Sequence, residues 1–195
     1  MKVAIIDYGT GNVQSLQFAL ERLGYGSIVT KDKNVIRNTE RVIFPGVGAA
    51  GIAMQRLEEN ELCEVIQSLS QPVLGICLGM QLMCQHSEEN DTKTLNIFND
   101  KVVKFNDMLK VPQVGWNSIY DFKSILFDGI TDNDFVYMVH GFYVPQSDSA
   151  IATTHYGISY ASALQKNNFY GVQFHPEKSG KTGERILLNF LNIKL

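Results

Sequence analysis

A cysteine lies between two glycines in the stretch LGICLGMQLM, residues 74–83, at the point where an apolar run changes its period. The preceding PVLGI is a continuous apolar run bounded by Pro72 and predicts a short buried strand, whereas the residues after Cys77 have helical spacing. Cys77 would then occupy the strand-to-helix corner of a G-x-C-x-G nucleophile elbow, where the amides of the following helix favour the thiolate. A buried structural cysteine in an α/β turn explains the same pattern equally well.

The segment HPEKS, which begins at His175, could supply the base that a thiol nucleophile needs. Residues two apart in an extended segment point to the same side, so Glu177 can reach the His175 ring, and Pro176 holds the backbone extended. The carboxylate would select the tautomer of the imidazole and stabilise the imidazolium. On its own the segment is better explained as a turn with an exposed ion pair, but together with Cys77 it favours a Cys–His–Glu catalytic triad.

The other three histidines lack such a partner. His86 is expected at the far end of the helix that follows the cysteine, and His155 lies in a polar, tyrosine-rich stretch with no orienting acid. His140 ends an apolar run, and we expect it to be a hydrogen-bonded histidine at a strand end. His175 is therefore the predicted base.

Acyl transfer also requires donors for the developing oxyanion, and FPGVGAAG, residues 44–51, is a candidate because it leads from a strand through a glycine-rich turn into a helix. The backbone amides around Val47 and Gly48 could supply one donor, and the amide of Leu78, directly after the nucleophile, could supply the other. An ordinary strand–helix loop and a glycine-rich phosphate cradle are the alternatives.

The bulk properties of the chain exclude several classes of protein. Its 195 residues, 45% of them hydrophobic, suit a single domain over residues 1–195, and a formal net charge of -3 does not favour nucleic acid or an anionic membrane as partner. No apolar run approaches the roughly 20 residues of a membrane-spanning helix, and MKVAIIDYG is too short in its apolar part for a signal peptide. Three cysteines without C-x-x-C spacing argue against disulfides and a metal site, so we expect a reducing cytoplasm and neither a metal nor another cofactor.

Apolar patterns along the chain predict an α/β fold. Over about the first ninety residues, short apolar runs such as KVAIID and RVIFP alternate with helical patterns, which indicates a largely parallel sheet flanked by helices. Further on, the strand-like runs KVVKF, FVYMVH, AIATTHY, YASALQ and FYGVQF come close together, as in hairpins or a mixed sheet. GERILLNFLNIKL predicts a last helix with four apolar residues facing inward: Ile186, Leu187, Phe190 and Leu191.

In the order and separation of four motifs, PGVG, GICLGMQ, VGWN and GVQFHPEKS, the chain resembles the class I (triad-type) glutamine amidotransferases. The resemblance covers nearly the whole chain and implies a flavodoxin-like fold, with a mixed, largely parallel central sheet. DYGTGN, VGWN and HPEKS make the chain most similar to the glutaminase subunits of imidazole glycerol phosphate synthases, which act in histidine biosynthesis. In that family the cysteine, here Cys77, attacks the side-chain amide of glutamine and forms a γ-glutamyl thioester, with His175 and Glu177 completing the triad.

The resemblance also implies how glutamine is held. Gly48 and Gln81 match family positions that contact the substrate, and Val47 matches the position whose peptide turns to complete the oxyanion hole. Gly141 and Phe142 stand where the family usually has serine or threonine followed by tyrosine. The contacts that this hydroxyl would make with glutamine must then come from backbone groups or water.

A partner subunit is implied as well. In the family, ammonia passes to a (β/α)8-barrel cyclase subunit in a heterodimer. The positions that would form this interface or the ammonia gate are Gly9, Gly11, Asn12, Trp116, Asn117 and Lys178. Gln113 departs from the family's P-H-x-G-W-N pattern, which leaves the identity of the partner open.

Three alternatives stay open at this point. Related glutaminases supply ammonia to amidotransferases that modify surface sugars. A dinucleotide-binding module would explain Gly9 and Gly11 after a strand, although Gln14 occupies the place of the third glycine of G-x-G-x-x-G. A cysteine peptidase or related hydrolase would share the elbow and the histidine but would not need VGWN or HPEKS.

Overall fold

A seven-stranded sheet lies at the centre of the computed structural model, which describes residues 2–9, 11–106 and 108–194. In chain order, the strands are β1 (Lys2–Ile6), β2 (Gly26–Thr30), β3 (Arg41–Gly46), β4 (Val73–Cys77), β5 (His86–Ser87), β6 (Thr92–Lys93), β7 (Lys101–Lys104), β8 (Gln113–Ile119), β9 (Asp134–His140), β10 (Phe142–Tyr143), β11 (Ala150–Tyr156), β12 (Ile158–Lys166) and β13 (Phe169–Val172). The α-helices are α1 (Val13–Arg22), α2 (Lys33–Asn38), α3 (Ala50–Glu59), α4 (Cys63–Gln67), α5 (Leu78–Leu82) and α6 (Gly180–Leu191), and 3-10 turns cover Glu89–Asp91, Ile125–Phe127 and Pro176–Lys178.

The strand order of the large sheet is β11-β12-β13-β4-β3-β1-β2. The five strands from β13 to β2 are parallel to one another, whereas β12 is antiparallel to both of its neighbours, β11 and β13. The predicted mixed, largely parallel sheet is therefore confirmed. Strand β4 lies between two parallel neighbours and is buried along its whole length, so its last residue, Cys77, emerges at the middle of the carboxyl edge. In open parallel sheets this edge is where ligands bind.

Helices cover both faces of the sheet because its inner strands are apolar on both sides. On β1, Val3 and Ile5 belong to one hydrophobic cluster, and Ala4 and Ile6 belong to the other. Helices α1 and α6 pack on the first face, and α3, α4 and α5 pack on the second. The four inward residues predicted for the last helix are all buried, which fixes α6 against the sheet.

Smaller elements surround the carboxyl edge. A four-stranded sheet has the order β10-β7-β5-β6, and β8 and β9 form a separate antiparallel hairpin. Over the described part of the chain, no helix is long and apolar enough to span a membrane.

Strands β2 and β8 and helices α2 and α4 are among the elements that were not predicted from the sequence, and the helix after Cys77 is shorter than expected. Strand β2 and helix α2 precede RVIFP, so that run is the third strand of the chain. The helix after Cys77 ends at Leu82, and His86 lies in β5 instead of at a helix end. Of the predicted interface stretch GTGN, residue Thr10 lies outside the described residues.

Candidate active site

Cys77 has the backbone conformation of a nucleophile elbow. It ends β4 and immediately precedes α5, with φ at 54° and ψ at -111°, in the region where side chains other than glycine are strained. An ideal Cβ built on Gly79 would lie 1.9 Å from the carbonyl oxygen of Phe44 on β3, and one on Gly75 would lie 2.9 Å from the amide nitrogen of Met80. Both glycines are therefore required for the close approach of α5 to the sheet, which sets the corner where Cys77 lies.

His175 and Glu177 form the predicted pair, with His175 Nδ1 2.8 Å from Glu177 Oε1 and both side chains buried. The expected reason for the contact was wrong. Residues 176–178 form a 3-10 turn and not an extended segment, and it is this turn that carries Glu177 back to the ring. The turn packs against α6, where a Cβ on Gly183 would lie 2.0 Å from the carbonyl oxygen of Pro176.

The backbone of His175 is fixed from two sides. Its N–H donates to the carbonyl of Tyr137 on β9 at 2.9 Å, and its own carbonyl accepts from the hydroxyl of Ser179 at 2.6 Å. Ser179 Oγ also accepts from the N–H of Tyr137 at 3.0 Å. These three bonds hold the imidazole in place relative to the β8–β9 hairpin.

The electrostatics of His175 favour its charged form. Burial alone would lower the pKa of the imidazole, but its hydrogen bonds and charge interactions with Cys77 and Glu177 outweigh burial and raise the pKa to about 10. At neutral pH the ring is therefore an imidazolium held between a sulfur and a carboxylate. This arrangement suits a thiolate–imidazolium pair.

One cavity brings together the residues predicted for the oxyanion hole and for glutamine. Its lining consists of Val47, Gly48, Cys77, Leu78, Gln81, Glu89, His140, Gly141 and Phe142. His175 and Glu177 line an adjoining cleft together with Val47 and Asn12. The sulfur therefore has the proposed substrate cavity on one side and the histidine–glutamate pair on the other.

The loop between β3 and α3 forms one wall of this cavity. Gly48 has a φ of 96°, and a Cβ built there would meet no atom within 4 Å, so backbone conformation and not space restricts this position to glycine. Val47 is 40% exposed, at the mouth of the cavity. The Gly48 position is therefore not closely packed against its neighbours.

Glu89 is a site residue that the sequence analysis missed. Its Oε2 accepts from the N–H of Ala50, the first residue of α3, at 2.8 Å, and its side chain lines the cavity opposite Gln81. It stands in a polar run, HSEENDTK, that carries no spacing signal. Only the pairing of β5 and β6 around the turn at Glu89–Asp91 brings the carboxylate to the cavity.

The remaining histidines are mostly where they were expected. His140 ends β9 and is buried, with Nδ1 2.7 Å from the carbonyl of Phe142 and Nε2 3.1 Å from the hydroxyl of Tyr160. Burial lowers the pKa of His140 to about 4, so it is neutral at physiological pH. It nevertheless lines the cavity, which was not expected. His86 contacts exposed Asp91, and His155 contacts a serine hydroxyl.

Not all predicted interface residues lie together. Trp116 on β8 is 56% exposed, and its ring packs edge-on against that of Tyr137 with the two centroids 6.1 Å apart. Lys178 Nζ lies 5.8 Å from the centroid of the same Tyr137 ring. Asn117 has the opposite orientation on β8, because its side-chain amide donates to the carbonyl of His155 at 3.0 Å.

The other end of the predicted interface is the loop before α1. Asn12 caps α1 by accepting from the N–H of Ser15 and lines the cleft beside the histidine–glutamate pair. Gly9 and Gly11 both have positive φ, and the guanidinium of Arg56 donates to the carbonyl of Gly9. This contact ties the loop to α3.

Comparisons with known proteins agree on one family. The family model described as glutamine amidotransferase class-I matches residues 4–193. The chain is 52% identical to the imidazole glycerol phosphate synthase subunit HisH of Bacteroides thetaiotaomicron, over 99% of this chain and all of the relative. It is 47% identical to the subunit of the same name from Haemophilus influenzae, over 98% of this chain and 97% of the relative. A chain of PurLQS from Thermotoga maritima, at 15% identity, has the same fold with a TM-score of 0.73 over 98% of this chain and 97% of that one.

Proposed function

We propose that this chain, which belongs to the class I glutamine amidotransferase family, is the glutaminase subunit of an imidazole glycerol phosphate synthase and acts in histidine biosynthesis. The observation that carries the proposal is the juxtaposition of Cys77, on its positive-φ elbow, with the buried His175–Glu177 pair. About 50% identity over the full length to subunits named for that synthase supports the choice of pathway. We further propose that residues 1–195 act as one domain, since both hydrophobic clusters share the central sheet.

The first half of the reaction breaks the C–N bond of the glutamine side-chain amide. The thiolate of Cys77 attacks the amide carbon, and the carbonyl oxygen becomes an oxyanion. His175, held as an imidazolium, gives its proton to the departing nitrogen, so that ammonia leaves and a γ-glutamyl thioester remains. The raised pKa of His175 keeps its ring protonated beside the sulfur before glutamine arrives.

In the second half, water hydrolyses the thioester. His175 is now neutral and removes a proton from the attacking water, the C–S bond breaks, and glutamate leaves as Cys77 regains its thiolate form. Glu177 accepts from Nδ1 throughout and leaves Nε2 for proton transfer. Because its side chain is buried on the far side of the ring from the sulfur, Glu177 orients the base without touching the reacting carbon.

Val47, Gly48 and Leu78 supply the proposed oxyanion hole through backbone amides. Leu78 is the first residue of α5 and directly follows the nucleophile, and the Val47–Gly48 peptide lies across the cavity. An absent oxyanion donor costs on the order of a hundred- to a thousand-fold in rate. A turn of this one peptide, which open space at Gly48 allows, could therefore switch the glutaminase on and off.

The far end of the cavity suits the charged groups of glutamine. We propose that the Glu89 carboxylate attracts the α-ammonium group and that Gln81, with the backbone at Gly141 and Phe142, contacts the rest of the amino acid. The absent hydroxyl at position 141 removes one side-chain contact. Backbone groups of the 141–142 segment then have a larger share in binding.

Ammonia needs an acceptor, and the relatives are named as subunits of a synthase. We propose that the partner is a (β/α)8-barrel cyclase subunit that docks on the carboxyl edge in a heterodimer. One face of the β8–β9 hairpin carries Val114, Trp116 and Phe135, and each of these apolar side chains is more than half exposed. An exposed apolar patch of this kind supports the proposal, because such patches mark surfaces that bind other proteins. Asn12 lines the cleft beside the triad, Gly9 and Gly11 belong to the loop that leads to it, and Lys178 adds a positive charge over the Tyr137 ring.

The test measures glutamate release by the purified chain alone, with the barrel subunit, and with the barrel subunit and its substrate. We expect slow turnover alone and fast turnover in the full assembly. Cys77→Ala should abolish glutamine-dependent synthesis but leave synthesis from added ammonia intact. Wild-type glutamine hydrolysis by Cys77→Ala would refute the assignment, and equal turnover in all three conditions would refute partner control.

A further inference from the structure

A second amide lies against the nucleophile. Gln173 follows β13 and is fully buried, and its Nε2 is 3.7 Å from Cys77 Sγ, a distance typical of a long N–H···S hydrogen bond. Its Oε1 accepts from Gln81 Nε2 at 2.9 Å. Its backbone N–H donates to the carbonyl of Ser162 on β12 at 2.9 Å, which fixes the main chain at the edge of β13.

The direction of this chain of hydrogen bonds follows from a backbone carbonyl. The two ends of a side-chain amide are difficult to tell apart, so its orientation is assigned from its partners. The carbonyl of Phe142 can only accept, and it lies 3.1 Å from Gln81 Nε2. The second hydrogen of that NH2 group then points to Gln173 Oε1, and Gln173 must present its own NH2 group to the sulfur.

We propose that Gln173 is a further catalytic residue, which donates a hydrogen bond to the sulfur of Cys77 and stabilises its thiolate, and that Gln81 is a positioning residue that holds the Gln173 amide in the donating orientation. The role in turnover rests on the proposed glutaminase function. A hydrogen bond to a charged acceptor in a buried site stabilises the anion far more than the neutral thiol, because the thiol is a weak acceptor. The sulfur also lies 3.6 Å from the carbonyl of Val139, which can accept from a thiol but gives a thiolate no hydrogen bond, so of these two contacts only the Gln173 amide stabilises the thiolate.

This chain of hydrogen bonds connects the substrate cavity to the nucleophile. The Phe142 carbonyl lies in the segment that lines the cavity, and movement of that segment changes the acceptor available to Gln81. The titratable groups that face Cys77 are His175, which contacts it, Glu177 behind that ring, and His140 and Glu89 across the cavity. None of them is removed by a change at Gln173, so the amide can be tested separately.

The experiment measures the rate at which iodoacetamide alkylates Cys77 as a function of pH, read by mass spectrometry of the peptide. The other two cysteines are buried or partly buried, and burial raises the pKa of both, so they react more slowly at neutral pH. Gln173→Met keeps the volume of the side chain but removes the donor. We expect its alkylation midpoint to move up by about one pH unit, which is about a tenfold smaller thiolate fraction below the midpoint.

Two further variants keep the test independent of folding. Gln173→Asn retains a buried amide but is one methylene too short to reach the sulfur, so it should give the same upward movement. Gln71→Met is the matched control, because Gln71 is also buried and donates to a backbone carbonyl, but at the opposite end of β4. Its midpoint should equal that of the wild type even where its thermal unfolding temperature falls.

Gln81→Met tests the positioning step. It should move the midpoint in the same direction by a smaller amount, and the double variant with Gln173→Met should move it no further than Gln173→Met alone, because both act through one hydrogen bond. Unchanged midpoints in folded Gln173→Met and Gln173→Asn would overturn the proposal. Since alkylation requires no glutamine, a wild-type chain that fails to hydrolyse glutamine even with the barrel subunit and its substrate refutes the glutaminase function and leaves this result to stand separately.

Discussion

Replacement of Gly79 by alanine tests whether the close approach of α5 to β3 positions the nucleophile. A Cβ at this position would lie 1.9 Å from the carbonyl oxygen and 2.9 Å from the carbonyl carbon of Phe44, whereas ordinary contacts begin at 3.4 Å. Helix α5 must therefore retreat by about 1.5 Å, the difference between 3.4 and 1.9 Å. Phe44 cannot give way instead, because it is fully buried in the middle of the sheet.

The expected cost has two parts. Overpacking of a core typically destabilises a protein by about 1–3 kcal/mol, and a clash with backbone lies at the upper end of that range. Alanine in a helix gains about 1 kcal/mol over glycine. We therefore expect a net loss of about 2–3 kcal/mol in the free energy of unfolding. Cys77 is two residues away and ends the same corner, so it shares the displacement. A misplacement of about 1 Å costs about a hundredfold in rate, and we expect at least that loss in kcat.

The assay combines urea unfolding with glutamate release in the presence of the partner subunit, at a temperature where the variant is folded. Gly51→Ala is the matched control, since Gly51 also lies in the first turn of a helix at the cavity, but its Cβ would make ordinary contacts of 3.4 Å and longer. It should leave kcat unchanged and raise stability by about 0.5–1 kcal/mol. Folded Gly79→Ala with kcat within threefold of the wild type would show that this close packing does not position the sulfur.

Further predictions concern the base and the loop. Glu177→Gln removes a charge-assisted hydrogen bond to His175 worth about 1.5–3 kcal/mol, so kcat should fall about 10- to 100-fold, and combination with Cys77→Ala should add no further loss. The pKa of His175 is raised from 6.5 to about 10, so its protonation stabilises the folded chain fully below about pH 6.5, and this stabilisation is lost as pH rises through about 10. The difference in free energy of unfolding between wild type and Glu177→Gln, measured in urea, should therefore be larger at pH 6 than above pH 10. Proline at position 48 fixes φ near -65°, whereas the chain has a φ of 96° there. Gly48→Pro should therefore abolish stimulation of the glutaminase by the partner, while size-exclusion chromatography still detects the complex. Gly48→Ala should reduce the stimulation less, because its Cβ would meet no atom within 4 Å.

Much of the fold could be predicted because periodicity is a local property. The inner strands β1, β3 and β4 are continuous apolar runs, and α3 and α6 carry their buried residues at helical spacing. Strand β2 was not predicted, because it lies at the edge of the sheet and is only partly buried, so its sequence GSIVT contains no uniform apolar run. Helix α2 is short and buries one side chain, Ile36, which leaves no period to detect.

The candidate site was predictable where one motif holds several of its parts. Cys77 with its glycines, and His175 with Glu177, are each encoded within five residues. Glu89 and Gln173 were not recognised, because their contacts are with residues far away in the sequence: Glu89 accepts from the N–H of Ala50, and Gln173 contacts Cys77 and Gln81. The mode of contact in HPE was also mistaken, since residue spacing alone does not distinguish an extended segment from a 3-10 turn.

The two close backbone approaches around the site explain why rigidity and mobility occur side by side. Gly79 lets α5 contact β3, and Gly183 lets α6 contact the turn that carries Glu177, so the nucleophile and its base are both anchored to the sheet. At Gly48, by contrast, an added Cβ would meet no atom within 4 Å. In the proposed mechanism, a partner that acts on this loop would change the oxyanion donor without disturbing the triad, because the Gly48 position is open whereas Gly79 and Gly183 are closely packed. The proposal therefore assigns catalysis to the packed corners at Gly79 and Gly183 and control to the open loop at Gly48.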